Sequence, residues 1–492
     1  MILDKVIRNS GATLVQGNTR VEVDSICSDS RKVTAGALFV AVKGFASDGH
    51  DYISLAIGKG ARVIMYEDQE AFDRQCIHSD EMEGIVLLKT ESPRHSLAIA
   101  ASNFYGNPSE QLTLVGITGT NGKTTTVTLL HRMFTSMGYR CGLLSTIANY
   151  VGEKGTEAVN TTSDPITINS LLNEMVNAGC EYCFMEVSSI GVEQERVAGL
   201  KFKAALFSNL THDHLDYHKT FAEYLRCKKL FFDNLDKDAI AVVNVDDRNG
   251  LVMTQNTAAR VVTYSCRSMA DHTCRVMEQS FEGMLLKMDG TETWSCLIGQ
   301  HNAYNLLALY STAVELGADP MEVLVAISTL KPAPGRLENM RGPKDISVII
   351  DYAHTPDALE NVLKTLREIA PERELICLFG CGGDRDKTKR PEMGLIAQKL
   401  ADRIIVTSDN SRTENTADIM ADIKSGMDIS GKAKSLFIED REQAIRTAVM
   451  LAGPGATILL AGKGHETYQI IGKEKKHFDE KEIVTEIFKT LE

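Results

Sequence analysis

Between Leu114 and Thr128 the chain reads LVGITGTNGKTTTVT, an apolar run that leads through a glycine-rich turn into a helix expected from about Lys123. Gly116 and Gly122 stand one residue too far apart for the strict GxxxxGK[ST] loop, yet Gly119, Thr120, Asn121 and Gly122 fall where a phosphate cradle needs them. Backbone N–H groups of such a turn, together with the positive end of the following helix, attract an anion. Lys123 would meet the outer phosphates of a nucleotide, and Thr124 or Thr125 would offer a hydroxyl to Mg²⁺. Glu186 closes a second apolar run, EYCFMEVSS, and is a hard oxygen ligand suited to the same ion, with a strand-end ion pair as the plainer reading.

Three other clusters invite chemistry less well. THDHLDYH places His212, His214 and His218 together, but HxHxDxH does not fit a helical zinc pair. Cys180 and Cys183 form a lone CxxC inside an apolar run, without a second pair at metal spacing. LFGCGGDRDK lacks the spacing of a dinucleotide fingerprint, which argues against NAD.

The elements that must carry these residues fall into three segments. At 492 residues, 43% hydrophobic and 24% charged, the chain is too long for one core. Residues 1–108 read as a mixed α/β segment with a strand at LFVAV. Residues 109–334 alternate apolar runs (LTLVGIT, YCFMEVSS, AALFSNL, AIAVVNVDD) with helical stretches, as a parallel sheet requires, and end in a hairpin closed on Asp289-Gly290. LKPAPGRLE breaks the pattern and is a candidate linker and hinge. Residues 335–492 restart the alternation: strands at SVIIDYAH, ELICLFG, RIIVTSDN and ATILLAGKG, with one helix between each pair. A net charge of −13 argues against a nucleic-acid surface. No apolar run reaches the ~18 residues of a membrane span, so the expectation is a cytoplasmic protein. The eleven cysteines read as reduced thiols.

The loop GxxGTNGKTTT, followed in order by Glu186, THDHLDYH, Asn302 and Asn305 in GQHNAYN, Arg336 in PGRLE, Asp351 and His354 in DYAHTP, and GKGHE, resembles the ATP-dependent Mur ligases and their relatives the folylpolyglutamate synthetases. The resemblance spans nearly the whole chain. It implies an α/β fold of three domains: a mixed α/β N-terminal domain that binds UDP, a central P-loop ATPase-like parallel-sheet domain, and a C-terminal Rossmann-like domain that binds an amino acid. It implies ATP as co-substrate, Mg²⁺, and a monomer that forms an amide bond through an acyl phosphate. Lys123, Glu186, His214, Lys228, Arg336 and Asp351 become the catalytic set, with Asn302 and Arg336 at ATP. The metal would be held by Thr124, Glu186, His214 and Lys228, the last as a carbamate. Without the resemblance, Lys228 and Lys229 would read as the solvated face of a helix.

The pattern DSRKVxxGxLFVAxKG resembles the branch that extends UDP-MurNAc-L-Ala-D-Glu. That implies substrate contacts at Ser30, at Asn160, Thr161 and Thr162, and at Ser188, Gln194 and Arg196. The sequence departs from the branch at Ile190 and Ser163, neither an assigned ligand. In SDNSRTE, Asp409, Asn410, Ser411 and Arg412 resemble the DNPR motif of the members that use meso-diaminopimelate, with Ser411 replacing proline. A guanidinium can bind the distal carboxylate of diaminopimelate through two parallel hydrogen bonds, and lysine lacks that carboxylate. Arg385, Gly462 and Glu466 would complete the pocket. L-lysine is the alternative substrate.

Overall fold

A computed structural model of the chain describes residues 1–44, 47–75, 82–211 and 215–491. Among the described residues three large sheets follow one another in sequence, and a two-stranded hairpin, Tyr468–Ile471 with Glu474–His477, lies near the end of the third unit. The first orders its strands Thr13–Gln16, Val86–Lys89, Val63–Tyr66, Ala37–Val40 and Ser25–Cys27, parallel except for the first. All four residues of Ala37–Val40 are buried, because Leu38 and Val40 pack into one core and Ala37 and Phe39 into another. Covered on both faces, the strand reads as a continuous apolar run.

The second sheet has eleven strands. Seven consecutive strands are parallel, in the order His272–Ser280, Arg260–Ser265, Ile240–Asn244, Ala204–Phe207, Thr113–Thr118, Tyr182–Glu186 and Cys141–Leu144. Antiparallel hairpins extend both margins. One of them pairs Met288 with Thr291 across Asp289-Gly290, as the sequence leads one to expect. The Thr113–Thr118 strand enters first and lies between neighbours reached by later crossovers on either side. The carboxyl end of such a strand is where a ligand crevice opens.

The third sheet orders Glu338–Arg341, Ser347–Asp351, Thr457–Ala461, Leu375–Phe379, Arg403–Val406 and Ser435–Phe437, antiparallel only at the first pair. Here one expectation needs correction. Between RIIVTSDN and ATILLAGKG the chain forms not one helix but three (Thr416–Ser425, Ile429–Ala433, Arg441–Leu451) and the edge strand Ser435–Phe437. That strand is three residues long and only partly buried, so its sequence carries almost no period.

The units touch. The Pro93–Phe104 helix packs on Pro165–Asn177, and His95 meets Glu195 at 3.0 Å. Arg132 donates to the carbonyls of Lys331 and Pro332 at 3.1 and 3.0 Å, strapping the first residues of the proline linker to the central unit. Among the described residues no helix is long and apolar enough to cross a membrane.

Candidate active site

The phosphate loop forms as its composition dictates. Gly122 takes φ 88° and caps the Lys123–Ser136 helix, a conformation in which glycine carries no Cβ penalty. A Cβ there would collide with Asn305 Oδ1. Gly122→Ala is therefore expected to lose about 1–3 kcal/mol of stability and most nucleotide affinity, read by thermal unfolding and ATP titration. Lys123 Nζ donates to the carbonyls of Gly119 and Thr120 at 2.9 and 2.8 Å. Lys228, which is 1% exposed rather than solvated, donates to the same Gly119 carbonyl at 2.7 Å and lies over the Tyr224 ring. Thr124 Oγ1 donates to Glu186 Oε2 at 3.0 Å, and Thr146 N donates to Oε1 at 2.8 Å. Glu186 is fully buried, at the end of the strand adjacent to the loop. Four of the expected groups thus form two sets of contacts at the loop, Lys123 and Lys228 on the Gly119 carbonyl and Thr124 on Glu186. His214 and His212 lie outside the described residues; His218 is buried against Ser189 Oγ at 2.8 Å.

The residues expected to hold a peptide substrate cluster beside Glu186. Thr162 Oγ1 donates to the Glu186 carbonyl at 2.9 Å and accepts from Ser188 N at 3.0 Å. Arg196 reaches the Thr162 carbonyl and Gln194 Oε1, and Thr161 accepts from Thr146 Oγ1. Asn160 is exposed at the edge of this group. Ser30 stands apart in the first unit, on the 3₁₀ turn Ser30–Lys32, where Lys59 Nζ donates to its carbonyl.

A cleft of ≈ 510 Å³ separates the central unit from the C-terminal one, lined by Asn121, Gly122, Thr125 and Asn302 on one side and by Arg336, Asp351 and Tyr352 on the other. Asn121 Nδ2 crosses to Asp357 Oδ2 at 2.8 Å. Asn302 is fixed by the Ile298 carbonyl and by Asn305. Arg336 stacks over the Tyr352 ring at 4.8 Å. Asp351 accepts from Leu337 N and Ala353 N, both at 2.8 Å, and so anchors the turn that presents Arg336. Burial pushes the Asp351 carboxyl up, against the opposing pull of Arg336.

Burial, then the nearby Arg336 charge, holds His301 and His465 down at about 4. Each Nδ1 is buried without a hydrogen-bond partner among the described residues, as suits a neutral ring. The unfolded chain protonates these rings near 6.5, so below that pH it binds more protons than the native state. Melting temperature is expected to fall as pH drops from 6.5 towards about 4, and His465→Asn to flatten that slope; calorimetry across the window measures both.

The loops after two strands of the third sheet form the remaining group. Asn410 Nδ2 donates to Glu466 Oε2 at 2.8 Å, and Arg412 Nη1 donates to the carbonyls of Gly383 and Asn410 at 2.8 and 3.4 Å. Arg412 adopts φ 51°, stitched on both sides by Ile470 and Gly472. A Cβ on Gly382 would lie 3.1 Å from Arg412 Nη1 and 3.8 Å from Arg385 Cγ, so both arginines flank one glycine. Arg385 is exposed, while Asp409, Ser411 and Gly462 are buried.

Charged groups that the sequence does not single out lie underneath. Arg441, 1% exposed, pairs with buried Glu480 and donates to the carbonyls of Ser408 and Ala461, the residues that lead into the two loops. Arg390, fully buried, ties Glu414 and Asp422 to the Gly382 carbonyl. In the cleft, Asp246 accepts from Tyr304 OH and from Cys266 N. The signal for Asp246 was its place just beyond a parallel strand, and for His301 and Tyr304 their place within GQHNAYN.

Comparison with known proteins adds three family matches: the Mur ligase family catalytic domain over residues 22–105, the Mur ligase middle domain over 117–313, and the Mur ligase glutamate ligase domain over 335–464. The chain is 48% identical to a protein of Cytophaga hutchinsonii, over 97% of each chain. It is 48% identical to one of Bacteroides thetaiotaomicron, over 99% of this chain and 100% of that one. Both relatives are named UDP-N-acetylmuramoyl-L-alanyl-D-glutamate--2,6-diaminopimelate ligase. A solved structure with that name matches at TM-score 0.69 and 29% identity, over 100% of this chain and 99% of the other. A MurF ligase from Thermotoga maritima in complex with ADP shares the fold at TM-score 0.63 and 19% identity, over 95% of this chain and 97% of the other.

Proposed function

Because the chain belongs to the Mur ligase family, we propose that it uses ATP to join meso-2,6-diaminopimelate to the D-glutamyl γ-carboxylate of UDP-MurNAc-L-Ala-D-Glu, a step in making peptidoglycan precursor. The observation that carries this reading is the loop pair in the C-terminal unit. Arg412 donates to the Asn410 carbonyl and Glu466 accepts from the Asn410 side chain, so a guanidinium and a carboxylate, partners for the carboxylate and the ammonium of one amino-acid carbon, are held on the same residue. Relatives with the same name across the full length support it.

A carboxylate is a poor electrophile at neutral pH. Transfer of the γ-phosphoryl group to it creates an acyl phosphate, the amine of the incoming amino acid attacks the acyl carbon, and the tetrahedral intermediate collapses to an amide with release of phosphate. Lys123 and Arg336 offset charge on the transferring phosphoryl group. Asp351 serves this step by holding the Arg336 turn.

The donor set fits Mg²⁺: a fully buried carboxylate, Glu186, bonded to the Thr124 hydroxyl at the loop. His214 would join it. A carbamylated Lys228 would keep one N–H for the Gly119 carbonyl and would add an anionic oxygen ligand. When bound, the metal supplies charge neutralisation at the phosphates.

We assign UDP binding to residues 1–108 through Ser30, ATP and metal binding to 109–334, and amino-acid binding to 335–492. The enzyme acts as a cytoplasmic monomer. The test is ADP release by the purified chain with UDP-MurNAc-L-Ala-D-Glu and either meso-diaminopimelate or L-lysine. Turnover dependent on diaminopimelate is expected; turnover with L-lysine alone would move the assignment to the lysine reaction, and amide formation without ATP consumption would end it.

A further inference from the structure

Lys463 sits on one of the two loops assigned to the amino acid, between Gly462 and Glu466, and its side chain reaches Asn410 on the other; neither the catalytic groups nor the nucleotide cleft uses it. Its side chain is completely buried. Nζ donates to Asn410 Oδ1 at 3.2 Å and to Glu466 Oε2 at 3.1 Å, and stands 3.9 Å from Asp409 Oδ1. The Tyr468 ring covers it at 5.8 Å. An ammonium is desolvated at such a place only if paired, and every one of these polar partners belongs to the pocket.

We propose, resting on the function assigned above, that Lys463 is a positioning and specificity-determining residue: it fixes Asn410 and Glu466 and sets the charge of the pocket so that an amino acid with a distal carboxylate is preferred to one without. Two carboxylates, Asp409 and Glu466, flank the pocket. Lys463 offsets them from beneath, leaving Arg412 and Arg385 to act on the ligand's carboxylate. Both bonds to Glu466, from Lys463 and from Asn410, fall on Oε2, which aims the other oxygen away from them. Remove the buried charge and the pocket turns more negative. A distal carbon bearing only an ammonium then gains, and one bearing a carboxylate as well loses. Asp409 is already held ionised below its ordinary range: burial pushes it up, but the Lys463 and Arg441 charges outweigh that.

The experiment uses the full chain with ATP and UDP-MurNAc-L-Ala-D-Glu and measures kcat and KM for meso-diaminopimelate and L-lysine separately. The wild type is measured first. Failure to use diaminopimelate there would overturn the assigned function and leave this inference without its premise, which separates the two failures. With that activity in hand, Lys463→Gln is expected to lower the diaminopimelate-to-lysine preference by about tenfold while the KM for ATP changes by less than about twofold. The double variant Lys463→Gln with Asp409→Asn, which removes a positive and a negative charge together, is expected to regain preference. Equal loss toward both amino acids at unchanged preference, or no recovery in the double variant, would overturn the proposal in favour of simple structural support. Should Lys463→Gln not fold, Lys463→Arg keeps the charge and is expected to keep the preference; a folded Arg variant without preference would equally overturn it.

Discussion

Glu186→Gln is expected to lower kcat by about a thousandfold, roughly 4 kcal/mol of transition-state stabilisation, in a protein that still folds. The isosteric amide can retain both local bonds. Its oxygen accepts from Thr146 N, and its NH₂ can donate to the Thr124 hydroxyl, which reverses its own role. What disappears is the negative charge at a buried point beside the phosphate loop, and with it a ligand for Mg²⁺. Steady-state ADP release over a range of Mg²⁺ concentrations, alongside a melting curve, measures the effect. A kcat within about tenfold of wild type at unchanged Mg²⁺ dependence would remove Glu186 from the catalytic set.

Arg412→Ala is expected to cost about a hundredfold or more in kcat/KM for meso-diaminopimelate and little for L-lysine, since two charge-assisted hydrogen bonds are lost only for the substrate with the extra carboxylate. The structural bonds of the guanidinium leave from Nη1, and we assign the Nε–Nη2 edge to the ligand. Alanine and arginine meet the same steric objection to φ 51°, so the backbone adds little to the difference. Arg412→Lys should rescue only partly, because an ammonium is a point charge and cannot present a parallel fork. Unchanged discrimination between the two amino acids in Arg412→Ala would place their recognition elsewhere.

The parts of this site that follow local rules are plain in the sequence. A strand, a glycine turn and GKT announce the phosphate loop, and the structure starts the helix at Lys123. Asp-Gly between apolar runs announces the hairpin, and Met288 duly pairs with Thr291. What cannot be read is charge that becomes buried through remote partners. Arg441 looks like one more polar residue on a helix, and its ion-pair partner Glu480 lies 39 residues away. Arg390 and Lys463 pass unnoticed for the same reason, their partners being fixed by how loops from separate strands converge. Lys228 shows the effect within a motif: sequence alone calls it solvated, and packing against Tyr224 buries it. The short edge strand Ser435–Phe437 was hidden because three partly buried residues display no period.

The carbonyl of Gly119 accepts from the Nζ of both Lys123 and Lys228. An inhibitor that captured this single peptide oxygen would displace both lysine side chains from their shared acceptor in one stroke. Resistance would have little room to arise there, since any residue with a Cβ at position 119 would collide with Ser208 Oγ, and exchanging either lysine forfeits the group the inhibitor had only displaced.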